Sequence, residues 1–147
     1  MKIDYVDSDK YIVYLNKSYY IFNKDSINEC LFKILKIIKK EYKIDLYSTF
    51  NVECYINDNY GVILSIKKVN DPFLKYNEKI NTNVKFYYKA KFLYEIEDYF
   101  IKNRVKCKIY LYKNKYYLEL EDDYILICEY IKKIIFGEKV LSIINNS

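Results

Sequence analysis

Along this chain, alternating apolar and polar positions give way to helical spacing and then alternate again, and the cycle runs twice. Lys2 to Val6 alternates weakly. Tyr11-Ile12-Val13-Tyr14-Leu15 is dense in aromatic and β-branched side chains, as is Tyr19-Tyr20-Ile21-Phe22 after Asn16-Lys17-Ser18. Runs of this kind, broken by Asp7-Ser8-Asp9 and similar polar stretches, predict two or three short strands. Ser26-Ile27-Asn28-Glu29 has the capping-box form, with Ser26 as N-cap and Glu29 three residues on. Ile27, Leu31, Ile34, Leu35, Ile38 and Tyr42 follow at helical spacing, so a helix is predicted over about 26 to 43. Phe50, Val52, Cys54 and Ile56 then alternate with Asn51, Glu53 and Tyr55, which predicts a strand with one buried and one wet face. A turn ending in Gly61, which tolerates positive φ, leads into Val62-Ile63-Leu64-Ser65-Ile66.

Residues 69 to 83 interrupt the pattern with Pro72 and the polar run Asn77 to Asn83, and they are read as a linker. Beyond it, Val84 to Tyr88 reads as a strand, and Leu93, Ile96 and Phe100 as a short helix. Val105 to Leu111 turns through Lys113-Asn114-Lys115 into Tyr116 to Leu120, a second alternating hairpin. Asp122 or Asp123 is placed to cap a third helix bearing Ile127, Ile131, Ile134 and Ile135, with Gly137 as its C-terminal stop. Val140 to Ile144 is read as a last strand. The fold class expected is α+β: two small tandem α/β units with antiparallel-rich sheets. They span 1–68 and 84–147 around the 69–83 linker, and the second has the order β-α-β-β-α-β.

Composition narrows this reading. Of 147 residues, 52% are hydrophobic, enough to form a core. Units of ~70 residues lie near the lower limit for independent stability, so each is expected to pack on the other or on a partner. No apolar run reaches the roughly 18 residues of a membrane helix. Met1-Lys2-Ile3-Asp4 has no apolar stretch of a secretory signal, so a cytoplasmic protein is expected. Cys30, Cys54, Cys107 and Cys128 form no C-x-x-C pair and sit in apolar patterns; they are read as inert core residues in a reducing compartment. The net charge is +5, yet Lys, Ile, Asn and Tyr all have AT-rich codons, so base composition explains the lysines without a binding surface.

The chain has no histidine, which removes the Ser–His–Asp and Cys–His arrangements and the histidine general base. With Gly61 and Gly137 as its two glycines, it has no phosphate-cradling loop. Glu97-Asp98 and Asp122-Asp123 are sequence neighbours, which do not face one another on a helix. No catalytic residue, metal site or cofactor is therefore expected. Tyr110, Tyr112 and Tyr117 alternate with the apolar set of the second hairpin and are expected on its wet face. Beside Lys106, Lys108, Lys113 and Lys115 they could stack on single-stranded nucleic-acid bases. They could equally pack against helices of the other unit or form a protein interface, where tyrosine is enriched. The acidic run Glu119, Glu121, Asp122 and Asp123 would repel phosphates, and Arg104 is the one arginine, so nucleic acid is the weaker reading. The candidate partner-binding residues are Tyr110, Tyr112, Tyr117, Glu119, Glu121, Asp122 and Asp123.

Four stretches resemble the MecA-type adaptor proteins of low-GC Gram-positive bacteria. Met1-Lys2-Ile3-Asp4-Tyr5-Val6-Asp7 looks like the family's first strand, and Gly61-Val62-Ile63-Leu64-Ser65-Ile66-Lys67 like the close of its N-terminal domain. Ile96-Glu97-Asp98-Tyr99-Phe100 is similar to its Phe-Glu-Asp helix motif. Ile109-Tyr110-Leu111-Tyr112-Lys113-Asn114-Lys115-Tyr116-Tyr117-Leu118 resembles its most recognisable hairpin. The order is shared along most of the chain, although the family's long acidic linker is reduced here to 69–83 and its first-helix tryptophan is missing. The resemblance implies an N-terminal unit that recognises a substrate protein and a C-terminal unit that docks on the AAA+ unfoldase ClpC. A single-stranded nucleic-acid module, or a small protein-interaction domain that can form a homodimer, stands as the alternative.

Overall fold

The computed structural model describes residues 2–7, 9–16, 33, 36, 40, 49–69, 81–97, 106–121 and 128–147. They form two compact units. The first comprises Met1–Cys54 with Val62–Phe86, and the second comprises Tyr55–Gly61 with Tyr87–Ser147. The expected linker is strand at both ends, since β4 reaches Val69 and β5 begins at Asn81; 70–80 lie outside the described residues.

A five-stranded sheet has the order β1-β2-β4-β3-β5, with β1 Lys2–Asp7, β2 Lys10–Asn16, β3 Thr49–Asn57, β4 Gly61–Val69 and β5 Asn81–Tyr87. Its burial follows position in the sheet. In β2 and β3 alternate residues are buried (Tyr11, Val13, Leu15; Phe50, Val52, Cys54), as period two requires of strands with one core face. In β4, flanked on both sides, Val62, Ile63, Leu64 and Ile66 are all buried, the near-continuous pattern of a strand covered on both faces. At the margin, β1 is mostly exposed, and its register with β2 shifts between Tyr5 and Asp7. The described residues of the predicted first helix, Lys33, Lys36 and Lys40, are helical and exposed, and their spacing sets them on one face. Tyr19 to Phe22 lie outside the described residues.

A four-stranded sheet has the order β7-β8-β6-β9, with β6 Leu93–Ile96, β7 Cys107–Tyr112, β8 Lys115–Leu120 and β9 Ile131–Ile135; each adjacent pair is antiparallel. Helix α1, Glu138–Asn146, follows β9. Two antiparallel-rich sheets are thus present, and the described residues are mostly strand, with less helix than expected.

Four expectations in this region are corrected. Leu93 and Ile96 lie in a strand, not a helix. β6 sits between β8 and β9 and all four of its residues are buried, so its short apolar run carries no helical information. Ile131, Ile134 and Ile135 also lie in a strand. The β6–β9 register shifts between Glu95 and Ile96, so Ile131 opposes Ile96 and Ile134 opposes Tyr94, on one face, although they are three apart. A bulge thereby imitates helical spacing. Conversely, Val140 to Ile144 lies in α1, which buries Val140 and Ile143 one turn apart. Gly137 opens that helix rather than closing another, at φ 73°. A Cβ there would lie 3.4 Å from the Tyr55 hydroxyl oxygen. The expected cap of the third helix, Asp122 or Asp123, lies outside the described residues.

The cysteine reading is corrected in part. Cys54 is fully buried, but Cys107 is half-buried, and Cys128 is exposed because it opens the 3-10 turn Cys128–Tyr130 instead of lying on a helix. Cys30 lies outside the described residues.

Candidate functional site

The β7–β8 hairpin is set by its turn. Tyr112 opposes Lys115, leaving two loop residues, and both have left-handed backbone: Lys113 at φ 48° and Asn114 at φ 63°. Two such residues in succession match the type I′ turn, whose twist suits paired strands. Asparagine enters this region readily, whereas lysine is strained there. Lys113 Nζ lies 5.2 Å from the Tyr112 ring centre, a cation–π contact that offsets part of that strain.

Directly opposed residues of an antiparallel pair share a face. Tyr110 opposes Tyr117, Tyr112 opposes Lys115 and Lys108 opposes Glu119, so the three tyrosines do share a face. That face is not wet, which corrects the expectation. Tyr117 is buried with Leu93, Ile135, Val140 and Ile143, while Tyr110, Tyr112 and Ile144 pack against the same cluster. The cause is α1: read as a strand, it offered no cover, but as a helix it lays Val140, Ile143 and Ile144 over the tyrosines. On the other face, Leu118 and Leu120 are buried too.

The charged candidates are held by local partners. Tyr110 Oη donates to Glu119 Oε2 at 2.9 Å, and Lys91 Nζ lies 3.7 Å from Glu119 Oε1. Burial, then the hydrogen bond to Glu119 and its negative charge, hold the Tyr110 hydroxyl above its ordinary 10.0. Glu121 is exposed and pairs with Lys106 at 3.4 Å. Glu95, buried on the tyrosine face, pairs with Lys115 at 3.1 Å. Surroundings are therefore mixed in charge, not a lysine stripe. Asp122 and Asp123 lie outside the described residues.

A cleft of about 180 Å³ lies beside the hairpin, bounded by Asn57, Asn59, Lys89, Lys91 and Glu119. Its asparagines are already committed to structure. Asn57 Oδ1 accepts the amides of Asn59 and Tyr60, each at 2.9 Å, and its Nδ2 donates to the Ala90 carbonyl at 2.8 Å. Asn59 Nδ2 donates to the Leu120 carbonyl at 2.8 Å. The volume falls below the roughly 300 Å³ at which ordinary ligand pockets begin. The turn-forming run Asn57-Asp58-Asn59 was visible in the sequence, but nothing there connected it to residues 90 and 120.

Among the described residues, no three cysteine or acidic side chains gather to hold a metal. No helix among them is long and apolar enough to cross a membrane. No protein-family model, curated protein or solved structure matches the chain.

Proposed function

We infer that the chain is a non-catalytic adaptor of the cytoplasm that links protein substrates to a Clp-type AAA+ unfoldase. The observation that carries this reading is the presence of two compact units in one chain. Both contain buried apolar side chains, such as Ile63 and Leu64 in the first and Leu93 and Leu118 in the second. Two modest interfaces on one chain raise the effective concentration of a substrate at its unfoldase without any chemistry. The α+β class belongs to the same reading: α1 covers one face of the second sheet, and Lys33, Lys36 and Lys40 are helical in the first unit.

The candidate docking surface narrows. Tyr117 serves the core, whereas the half-exposed margins of Tyr110 and Tyr112 and the exposed Glu121 remain accessible for contact. Asp122 and Asp123 extend the acidic run in sequence. Nucleic-acid binding is disfavoured, because the tyrosines pack under α1 and so offer no open stacking platform. The test adds the full chain to a purified ClpC-type ATPase and follows ATP turnover, with a labelled single-stranded oligonucleotide titrated in parallel. Stimulated turnover is expected. Oligonucleotide binding without any effect on the ATPase would replace this reading with the alternative.

A further inference from the structure

Among the described residues, each sheet ends in two edge strands: β1 and β5 in the first, β7 and β9 in the second. An edge with open N–H and C=O groups is a template for another strand, and proteins guard such edges with charges and bulges. Two of the four are guarded. β1 has a register shift and carries Lys2, Asp4 and Asp7. β9 has a register shift and carries exposed Lys132 and Lys133. β5 carries one charge, the exposed Lys85, beside exposed Asn83. β7 also carries one charge, Lys108; its register is unbroken, and Cys107 with Ile109-Tyr110-Leu111-Tyr112 makes up the rest.

The hydrogen-bond phase of β7 follows from one contact. The Glu121 amide donates to the Lys106 carbonyl at 2.9 Å. Bonded and non-bonded pairs alternate along an antiparallel ladder, so Lys108, Tyr110 and Tyr112 aim their backbone groups at β8. Ile109 and Leu111 therefore aim theirs away from the sheet. Leu111 is also 54% exposed, with its side chain on the face opposite α1. Charge favours one kind of visitor. Glu95, Glu119 and Glu121 are matched by Lys115, Lys91 and Lys106. Lys108 and Lys113 are exposed and have no carboxylate within 4.0 Å among the described residues.

We propose that the outer edge of β7 takes up an extended segment of a partner protein, in which apolar residues alternate with aspartate or glutamate. Backbone groups of Ile109 and Leu111 hold the segment as an added strand, their side chains meet its apolar residues, and Lys108 and Lys113 select its acids. A second copy of this chain fits less well. Paired antiparallel about Ile109, each Lys108 would oppose Tyr110 of the other copy, so neither lysine would gain a carboxylate. The proposal rests on the protein-binding reading above and adds a site and a ligand class to it.

The probe is a blocked, fluorescent peptide of alternating valine and glutamate about seven residues long, with lysine replacing glutamate in a control, titrated into the full chain. The glutamate peptide is expected to bind at least about tenfold more tightly than the control. Leu111→Pro removes an outward N–H without removing a ladder bond, and is expected to abolish binding. Lys108→Glu, a surface change, is expected to weaken it about tenfold, and it decides the matter should L111P melt early. Unchanged binding by K108E, equal affinity for the two peptides, or no binding at all overturns the proposal. So does a dimer, seen by ultracentrifugation, that L111P dissolves, since the edge then belongs to a second copy. ATPase stimulation measured on the same samples separates the two ideas. Stimulation without peptide binding sinks the edge proposal alone, and peptide binding without stimulation sinks the adaptor reading alone.

Discussion

The two hairpins share a sequence pattern and differ in their surroundings. Hairpin β3–β4 lies inside its sheet, with β2 beyond one strand and β5 beyond the other. Hairpin β7–β8 has β6 on one side and no described strand on the other. Their turns differ in parallel. The first is supported by Asn57, whose side chain accepts two backbone amides, and by Gly61 at φ 128°, where an L side chain is disfavoured. The second places Lys113 and Asn114 in left-handed backbone without a glycine. Alternation along a strand reports which face is buried and says nothing about neighbours. Enclosure makes the first hairpin a structural element, whereas the second has no described strand beyond β7.

The largest effect should separate the central strand from the edge. Leu64→Ala is expected to cost about 2–5 kcal/mol, and Leu111→Ala less than about 0.5 kcal/mol, by denaturant unfolding. Similar losses would erase the distinction between the hairpins. Gly61→Ala follows, at about 1–3 kcal/mol, because the new side chain meets a backbone region that L residues avoid. Asn57→Ala should remove about 1–2 kcal/mol, since it leaves the Asn59 and Tyr60 amides without their acceptor. In the second turn the sign reverses: Lys113→Gly should raise stability by about 0.5–1 kcal/mol, relieving the strained lysine. A loss there would mean that the Lys113–Tyr112 contact outweighs the strain.

Alkaline titration gives the smallest and most local comparison, one tyrosine in each unit. Burial, then the charge and hydrogen bond of Asp4, push the Tyr14 hydroxyl up to about 12, and Glu119 helps raise Tyr110 in the same direction. A raised hydroxyl is neutral more often folded than unfolded. Its contribution to stability is thus complete below the ordinary 10.0 and fades as pH climbs, toward about 12 for Tyr14. Phenolate absorbance of Asp4→Asn and Glu119→Gln should show earlier ionisation of Tyr14 and Tyr110 respectively. An unmoved transition in either variant would remove that carboxylate from the account.

How much could be read from the sequence varied with the rank of each signal. Strand β3 was legible because its alternation is unbroken from Phe50 to Ile56. The two hairpins were legible because turn residues separate alternating runs. In contrast, β9 was hidden by the register shift that puts Ile131 and Ile134 on one face, and β6 by being only four residues long and buried on both sides. The segment α1 matters most. Read as a strand, Val140 to Ile144 leaves nothing to cover Tyr110, Tyr112 and Tyr117; as a helix it covers them. Of the candidate surface, Glu121 and the hairpin's place in the chain were readable. The place of β7 at the end of the described sheet was not, because strand order is a property of pairings distant in sequence.

The hairpin end Tyr55–Gly61 belongs to the second unit while the rest of its two strands belongs to the first, so the units interleave along the chain. No single cut can separate them cleanly. A break anywhere between residues 62 and 86 sends the loop away with the N-terminal piece and strips the Asn57–Ala90 and Asn59–Leu120 bonds from the other. The same holds for a chain leaving the ribosome. Asn59 emerges first and waits for an acceptor 61 positions later, so the second unit cannot be completed by its own late-made residues alone. Its closure is a long-range event, set by chain topology more than by local propensity.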